Sequence, residues 1–267
     1  MSTKLVLVTG ASSGIGEATA KRYGAAGAHV MLLARNAERL FGVAHAIREA
    51  GGTATAFPID LSAAGALGEL AGRIEREIGT PDILINNAGA GRWLPLLDTS
   101  PDEARAMIEV PYLAAFNLTR AFAPAMLARG SGGIVFITSP ASYLAWPNAS
   151  AYIAARRAMA GFAESLQSEF KGKGVFVTVV ALGTVDTPYW ENNPGSRDNV
   201  PKADPRLLPT LTPEQAAEAI FAGAEAKKPF VVKPAAFRAL FVMNALFPGL
   251  VASQLRRSSK KAPKDKG

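Results

Sequence analysis

Residues 4–9 form a short run rich in leucine and valine that stops at Gly10-Ala11-Ser12-Ser13-Gly14-Ile15-Gly16, and a helical pattern takes over at 17–26. A strand that passes through a glycine turn straight into a helix constrains this chain more than anything else in it. The apolar run has the character of a parallel strand buried on both faces. Glycines let the main chain come close to a bound group, and the first turn of a helix points unbonded N–H groups at it. The arrangement is therefore suited to receive a pyrophosphate. Three glycines alone are a weak signal, but glycines between a first strand and a first helix are a much stronger one.

The alternation continues. His29–Ala34 reads as a second strand, 37–50 as a helix, 53–59 as a strand closed by Asp60 and Leu61, 63–78 as a helix, and 82–86 as a strand running into Asn86-Asn87-Ala88-Gly89. Residues 101–128 carry one long helical pattern with Pro111 near its middle, where proline removes an i to i−4 hydrogen bond and bends the helix. A fifth strand, 133–139, delivers Ser139 at its carboxyl end; 152–171 is a helix, 174–181 a sixth strand and Phe230–Lys233 a short last one. Strands separated by helices of ten or more residues imply right-handed crossovers and a parallel α/β sheet. At 267 residues, 49% of them hydrophobic, the chain suits one large domain. Residues 184–212 are proline-rich with little periodicity and read as a lid or a disordered loop. Thr212-Pro213 reads as a helix N-cap followed by proline at the first helical position. The expected division is a dinucleotide-binding unit over 1–235 and an extension over 236–267 that is apolar and then basic.

In open α/β sheets ligands sit beyond the carboxyl ends of the strands, and the chemically useful side chains fall there. Arg35 follows the second strand, where an acid would take ribose hydroxyls and an arginine takes a 2′-phosphate, so NADP(H) is favoured over NAD(H). Tyr152 stands thirteen residues after Ser139, and Arg156 four after Tyr152. On a helix the phenol and the guanidinium then share a face. A permanent cation beside a phenol favours the ionised form and helps the phenol act as a proton donor near neutral pH. Trp93, Tyr143, Leu144, Trp146, Tyr189 and Trp190 supply the makings of an apolar substrate pocket.

Composition removes several alternatives. The chain has no cysteine, which excludes disulfides, thiolate catalysis and cysteine metal sites. His29 and His45 sit apart on a strand-like and a helix-like run without clustered carboxylates, so no metal site is expected. Most of the net charge of +7 resides in the last twelve residues, which hold six basic side chains and one acid. The body is close to neutral, and no nucleic-acid face is expected. The start lacks a signal peptide's apolar region, making cytoplasmic residence the expectation.

The glycine turn, Asp60-Leu61, Asn86-Asn87-Ala88-Gly89, Ser139 and Tyr152 stand in the order and spacing of one family: from residue 4 to about 233 the chain resembles the short-chain dehydrogenase/reductases. The resemblance implies a seven-stranded doubly wound Rossmann sheet, a nicotinamide cofactor and a homodimer or homotetramer. It assigns Gly10, Ser12, Ser13, Gly14, Ile15 and Gly16 to the cofactor phosphates and Arg35 to the adenosine phosphate. Asp60 and Leu61 would meet the adenine, Asn87, Ala88 and Gly89 the ribose side, and Val185 and Thr187 the nicotinamide amide. Ser139, Tyr152 and Arg156 become the catalytic set, with Tyr152 and Arg156 also touching the cofactor. Three positions depart from the pattern. Arg156 stands where the family has a lysine that passes a proton onward, and arginine essentially never deprotonates. Pro111 replaces an asparagine on the long helix, and Asn117 faces another way. Leu182-Gly183 replaces Pro-Gly.

The expected activity is hydride transfer between NADP(H) and the carbonyl or secondary alcohol of an apolar, lipid-like substrate, Ser139 holding the oxygen and Tyr152 protonating it. The alternative is an NADP-binding protein of the same fold that has lost turnover and serves a binding or regulatory role, which the three departures favour. Residues 239–255 carry no charge but are interrupted by Pro248-Gly249 and followed by the basic cluster. Packing on the body or a partner subunit, peripheral membrane contact and, least favoured, a membrane span all stay open for them.

Overall fold

The computed structural model describes residues 3–89, 91–201 and 204–259. Its strands are β1 (Leu5–Thr9), β2 (His29–Ala34), β3 (Thr53–Pro58), β4 (Ile83–Asn86), β5 (Gly132–Thr138), β6 (Val175–Leu182) and β7 (Phe230–Lys233). They form one parallel sheet in the order β3-β2-β1-β4-β5-β6-β7. The chain winds outward from β1 to β3 and then returns to lay β4 on the other side of β1. That reversal opens a crevice at the carboxyl ends of β1 and β4. Pro58 is tolerated because β3 is an edge strand, where a missing N–H breaks no ladder.

Side chains along the central strands alternate between two cores. Val6, Val8, Val30, Leu32 and Val135 pack on one face with α1 (Gly14–Ala25), α2 (Ala37–Glu49) and α9 (Pro213–Glu225). Leu7, Met31, Leu33, Leu84, Ile134 and Phe136 pack on the other with α3 (Ala64–Glu77), α5 (Ala114–Arg129) and α6 (Ser150–Glu169). Burial on both faces explains why these strands read as continuous apolar runs. Thr212 caps α9 by accepting from Gln215 N, with Pro213 in the first turn, as the sequence pattern predicts. His29 is committed to the sheet. Its Nε2 lies 2.8 Å from Thr55 Oγ1, and burial lowers its pKa.

Three segments differ from their sequence-based expectation. The long helix over 101–128 is α4 (Pro101–Ile108), a π-helical turn at Glu109–Leu113 and then α5. The wider turn is how the helix admits Pro111, which has no N–H to donate and whose ring would strike the carbonyl four residues earlier. The 184–212 loop is partly ordered by two single-turn helices, α7 (Tyr189–Asn192) and α8 (Ser196–Asn199). Its ends are drawn together by Leu211 N on Thr184 O and Asp186 N on Leu211 O, both 2.9 Å. The charge-free stretch breaks at Phe247 into α10 (Phe237–Leu246) and α11 (Pro248–Ser259). Phe237, Val251 and Leu255 anchor this pair on Leu144, Ala181 and Val232. No described helix is long and apolar enough to cross a membrane. Arg256 and Arg257 belong to α11, whereas the lysines from 260 onward lie outside the described residues.

Candidate active site

The crevice is a cavity of about 850 Å³. Its phosphate end is built by β1 and the turn after it. Gly10 and Gly14 have φ of +65° and +56°, backbone conformations that suit glycine. A Cβ on Gly16 would stand 2.2 Å from Gly10 O and 2.6 Å from Asn87 Nδ2. Ser13 is the N-cap of α1, and its side chain makes no capping hydrogen bond. The opening N–H groups of this twelve-residue helix are thus left for whatever occupies the cavity, and its positive end favours an anion. Gly10, Ser12, Ser13, Gly14, Ile15 and Gly16 all line the cavity, so the residues present fit a dinucleotide pyrophosphate. α1 begins three residues before the apolar periodicity, inside the glycine turn itself. Thr9, which reads in sequence as one more strand residue, holds the cradle to the next turn. Its Oγ1 donates to Ile85 O and accepts from Asn87 N at 3.0 Å and Ala88 N at 2.9 Å. Asn87 Nδ2 donates back to Thr9 O at 2.9 Å.

Arg35, Asp60 and Leu61 line the adjoining wall, and Asn87, Ala88 and Gly89 the floor between the cradle and the reaction end. Ser62 N and Oγ donate to Asp60 at 3.0 and 2.9 Å and, with help from the Arg35 charge, hold its pKa below the usual carboxylate value. Arg39, in the first turn of α2 and four residues beyond Arg35, reaches the same wall. Its spacing from Arg35 was the available signal.

At the reaction end Ser139 opens a 3-10 turn, Pro140–Ser142, and its Oγ accepts from Ala141 N at 3.2 Å. The hydroxyl hydrogen remains free to donate into the cavity. Ser142 Oγ is buried, donates to Arg156 O at 2.9 Å and lies 2.6 Å from Thr138 Oγ1. Because the Ser142 hydrogen is already committed, Thr138 is the donor of that pair. This two-hydroxyl bridge ties the end of β5 to α6, which carries Tyr152 and Arg156 one turn apart.

Arg156 is 8% exposed. Its guanidinium carbon lies 5.2 Å from the Tyr152 ring centroid, Nη1 donates to Ile137 O at 3.4 Å, and Nε has no hydrogen-bond partner. No carboxylate pairs with it among the described residues. A Cβ on Gly89 would stand 2.4 Å from Nη2, so the glycine makes room for the guanidinium. A buried cation without a counter-ion is costly, and Nε is left without an acceptor among the described residues. Val185 and Thr187 line the cavity beside it. Val110, in the π-helical turn, reaches the cavity, and Asn117 does not. Leu182 keeps β6 paired to β7 through Lys233, with Gly183 N donating to Lys233 O at 2.8 Å.

Of the aromatics expected in the pocket, Trp93, Trp146, Tyr189 and Trp190 line it. Trp93 lies 5.3 Å from the Tyr152 ring and 6.2 Å from Trp146. The Tyr189 hydroxyl donates to Gly91 O. Burial raises its pKa well above the usual tyrosine value, the neighbouring Tyr152 adds to this, and Arg156 opposes it. Tyr143 and Leu144 do not line the cavity. The 3-10 turn after Ser139 carries them away, Tyr143 onto Phe230, Phe241 and Glu164, and Leu144 into the cluster that anchors α10 and α11. Leu207, Leu208, Phe237 and Leu240 also line the cavity and were not singled out in the sequence, since nothing in their spacing relates them to Tyr152.

Residues 4–197 match the sequence model of short chain dehydrogenases. An uncharacterized oxidoreductase of Mycobacterium tuberculosis is 40% identical over 223 residues, 81% of this chain and 62% of that protein, so the chain spans less than two thirds of that relative's length. A fatty acyl-CoA reductase of Acinetobacter baylyi is 36% identical over 220 residues, 81% of this chain and 71% of that protein. Among solved structures, a metagenomic short-chain oxidoreductase in complex with NADP has a TM-score of 0.71 at 33% identity, covering 86% of this chain and 94% of that one.

Proposed function

The chain belongs to the short chain dehydrogenase family, and from that premise we propose that it transfers hydride between NADP(H) and the carbonyl or secondary alcohol of an apolar substrate. One observation carries the reading: Ser139, Tyr152 and Arg156 line the same cavity as the glycine cradle and Arg35. When bound, the nicotinamide cofactor supplies or accepts the hydride. Ser139, its Oγ already accepting from Ala141 N, donates its hydrogen to the substrate oxygen. Tyr152 gives that oxygen a proton during reduction and takes one during oxidation. Arg156 holds its charge beside the phenol and offers donors to the ribose. It does not pass the proton on, so Tyr152 is resupplied by water from the cavity. Tyr189 stays protonated on Gly91 O and shapes the wall.

Arg35 with Arg39 supports the preference for NADP(H), as does the NADP bound in the metagenomic relative. The tryptophans and leucines of the wall support an apolar substrate, and so does the relative that reduces fatty acyl-CoA. Leu113 and Phe116, exposed on the long helix, support assembly as a homodimer or homotetramer.

The test follows nicotinamide absorbance over a panel of apolar aldehydes and ketones, beside calorimetric titration with NADPH and NADH. Tyr152→Phe is expected to lower kcat by about 10²–10⁴-fold with NADPH affinity preserved. The enclosed guanidinium that cannot relay a proton favours a second reading, a nucleotide-binding protein without turnover. Tight NADPH binding with no turnover, unrestored in Arg156→Lys with Pro111→Asn, would establish that second reading instead.

A further inference from the structure

The α10–α11 pair is buried along one side and bare along the other and at its turn. Phe237 at the start of α10 and Val251 and Leu255 of α11 share one buried cluster, and Asn244 Nδ2 donates to Tyr143 O at 3.3 Å, so the helices fold back on each other with one side along the body and the other side and the connecting turn facing outward. On that outer side and at the turn, Val242, Met243, Leu246, Phe247 and Leu250 are 59%, 40%, 65%, 54% and 61% exposed. Residues 245–250 are exposed without interruption. A run of exposed apolar side chains of this kind marks an interaction surface.

The charges around it identify the occupant. No charged residue lies between Arg238 and Arg256, and no acidic residue between Glu225 and Asp265. Arg238, at the base of α10, and Arg256 and Arg257, at the end of α11, are exposed, and four lysines follow from 260 onward in the sequence. At about 1.5 Å per residue the apolar turn lies roughly 12 Å along the helices from the arginines, a separation that lets one end meet headgroups while the other reaches the acyl boundary in which amphipathic segments settle. A second copy of this hairpin would bring cations to cations, and Glu164, which shares a pocket with Phe241 of α10, already accepts from the Tyr143 hydroxyl, whereas anionic headgroups supply the missing sign. Leu240, Gln254, Leu255 and Ser258 of the same two helices line the cavity.

We propose that the α10–α11 hairpin docks on an anionic lipid surface, the apolar tip entering the acyl region and Arg238, Arg256 and Arg257 meeting headgroups, so that the cavity faces the bilayer from which an apolar substrate arrives. The docking stands apart from the catalytic reading. Only the origin of the substrate rests on it, and vesicle binding needs no turnover.

The experiment is co-sedimentation of the full chain with phosphatidylcholine vesicles with and without phosphatidylglycerol, at low and high salt. Binding is expected on the anionic vesicles and to weaken with salt. Phe247→Asp with Leu250→Asp should reduce it about tenfold or more, and Arg256→Gln with Arg257→Gln by about tenfold, both with unchanged melting curves. Equal binding to neutral and anionic vesicles would overturn the proposal, as would binding indifferent to both double variants. Light scattering gives the other decisive outcome: a tip variant whose mass falls to that of a single chain, with no vesicle binding by the parent, would make the hairpin a contact between copies. Should the tip variant fail to fold, the arginine variant, at exposed positions, decides alone.

Discussion

Ser142 is the least conspicuous side chain at the reaction end and the one that sets its spacing. Its hydroxyl bonds the Arg156 carbonyl and receives the Thr138 hydroxyl, joining the strand that ends at Ser139 to the helix that carries Tyr152. Ser142→Ala removes both bonds and is expected to cost about 1–3 kcal/mol of stability by denaturant unfolding. Because the bridge spaces Ser139 from Tyr152, kcat should fall while NADPH affinity by calorimetry stays unchanged. A variant that is less stable but has full kcat would restrict the bridge to the fold. Nothing in the sequence points to Ser142, since one serine three residues beyond another has many ordinary explanations. That Ser139, Tyr152 and the cradle glycines line one cavity was legible because the element order places a strand end, the following helix and a helix start at the same edge of the sheet. Arg39 was half legible, four residues from Arg35 on the helix that follows it.

Among the elements, the wall of the cavity depends on the pairing of residues 91–93 with the loop that holds α7 and α8. Tyr189 donates to Gly91 O, Gly91 N to Asn193 Oδ1 at 3.3 Å, Arg92 Nε to Pro194 O at 2.8 Å, and Trp93 N to Ser196 Oγ at 3.0 Å. These bonds hold Trp93 against Tyr152 and turn a proline-rich loop into a cavity wall. Half of them end on backbone carbonyls, which every residue possesses, so no pattern of side chains announces them. The π-helical turn escaped for a related reason. Pro111 signals a bend, but whether a helix answers by kinking or by widening depends on what packs around it. Tyr189→Phe removes one bond of the wall and leaves Tyr152 in place. It should raise KM for the carbonyl substrate about fivefold, the worth of roughly 1 kcal/mol, with kcat nearly unchanged in steady-state assays. A fall in kcat as deep as that of Tyr152→Phe would move the proton-donor role to Tyr189.

At the scale of the whole molecule, the fold was readable because a central strand buried on both faces must be an apolar run, and seven strands separated by helices admit few topologies. The reversal at β1 and β4 then places the glycine cradle, the turn after β4 and the end of β5 around one crevice, with Arg35 and Arg39 at its far wall. Cofactor choice therefore belongs to the architecture as much as to the reaction end, and it can be measured without turnover. A ligand at a hundred times its Kd stabilises the fold by about 2.7 kcal/mol, which for a chain of this size raises Tm by roughly 5–10 °C. NADPH is expected to produce that rise at lower concentration than NADH. A charge-assisted bond is worth about 1.5–3 kcal/mol, so Arg35→Ala should weaken NADPH about tenfold to a hundredfold and leave NADH nearly untouched. Arg35→Ala with Arg39→Ala should erase the preference. If NADH stabilises the parent chain more than NADPH, or if the double variant still prefers NADPH, the two arginines do not read the 2′-phosphate.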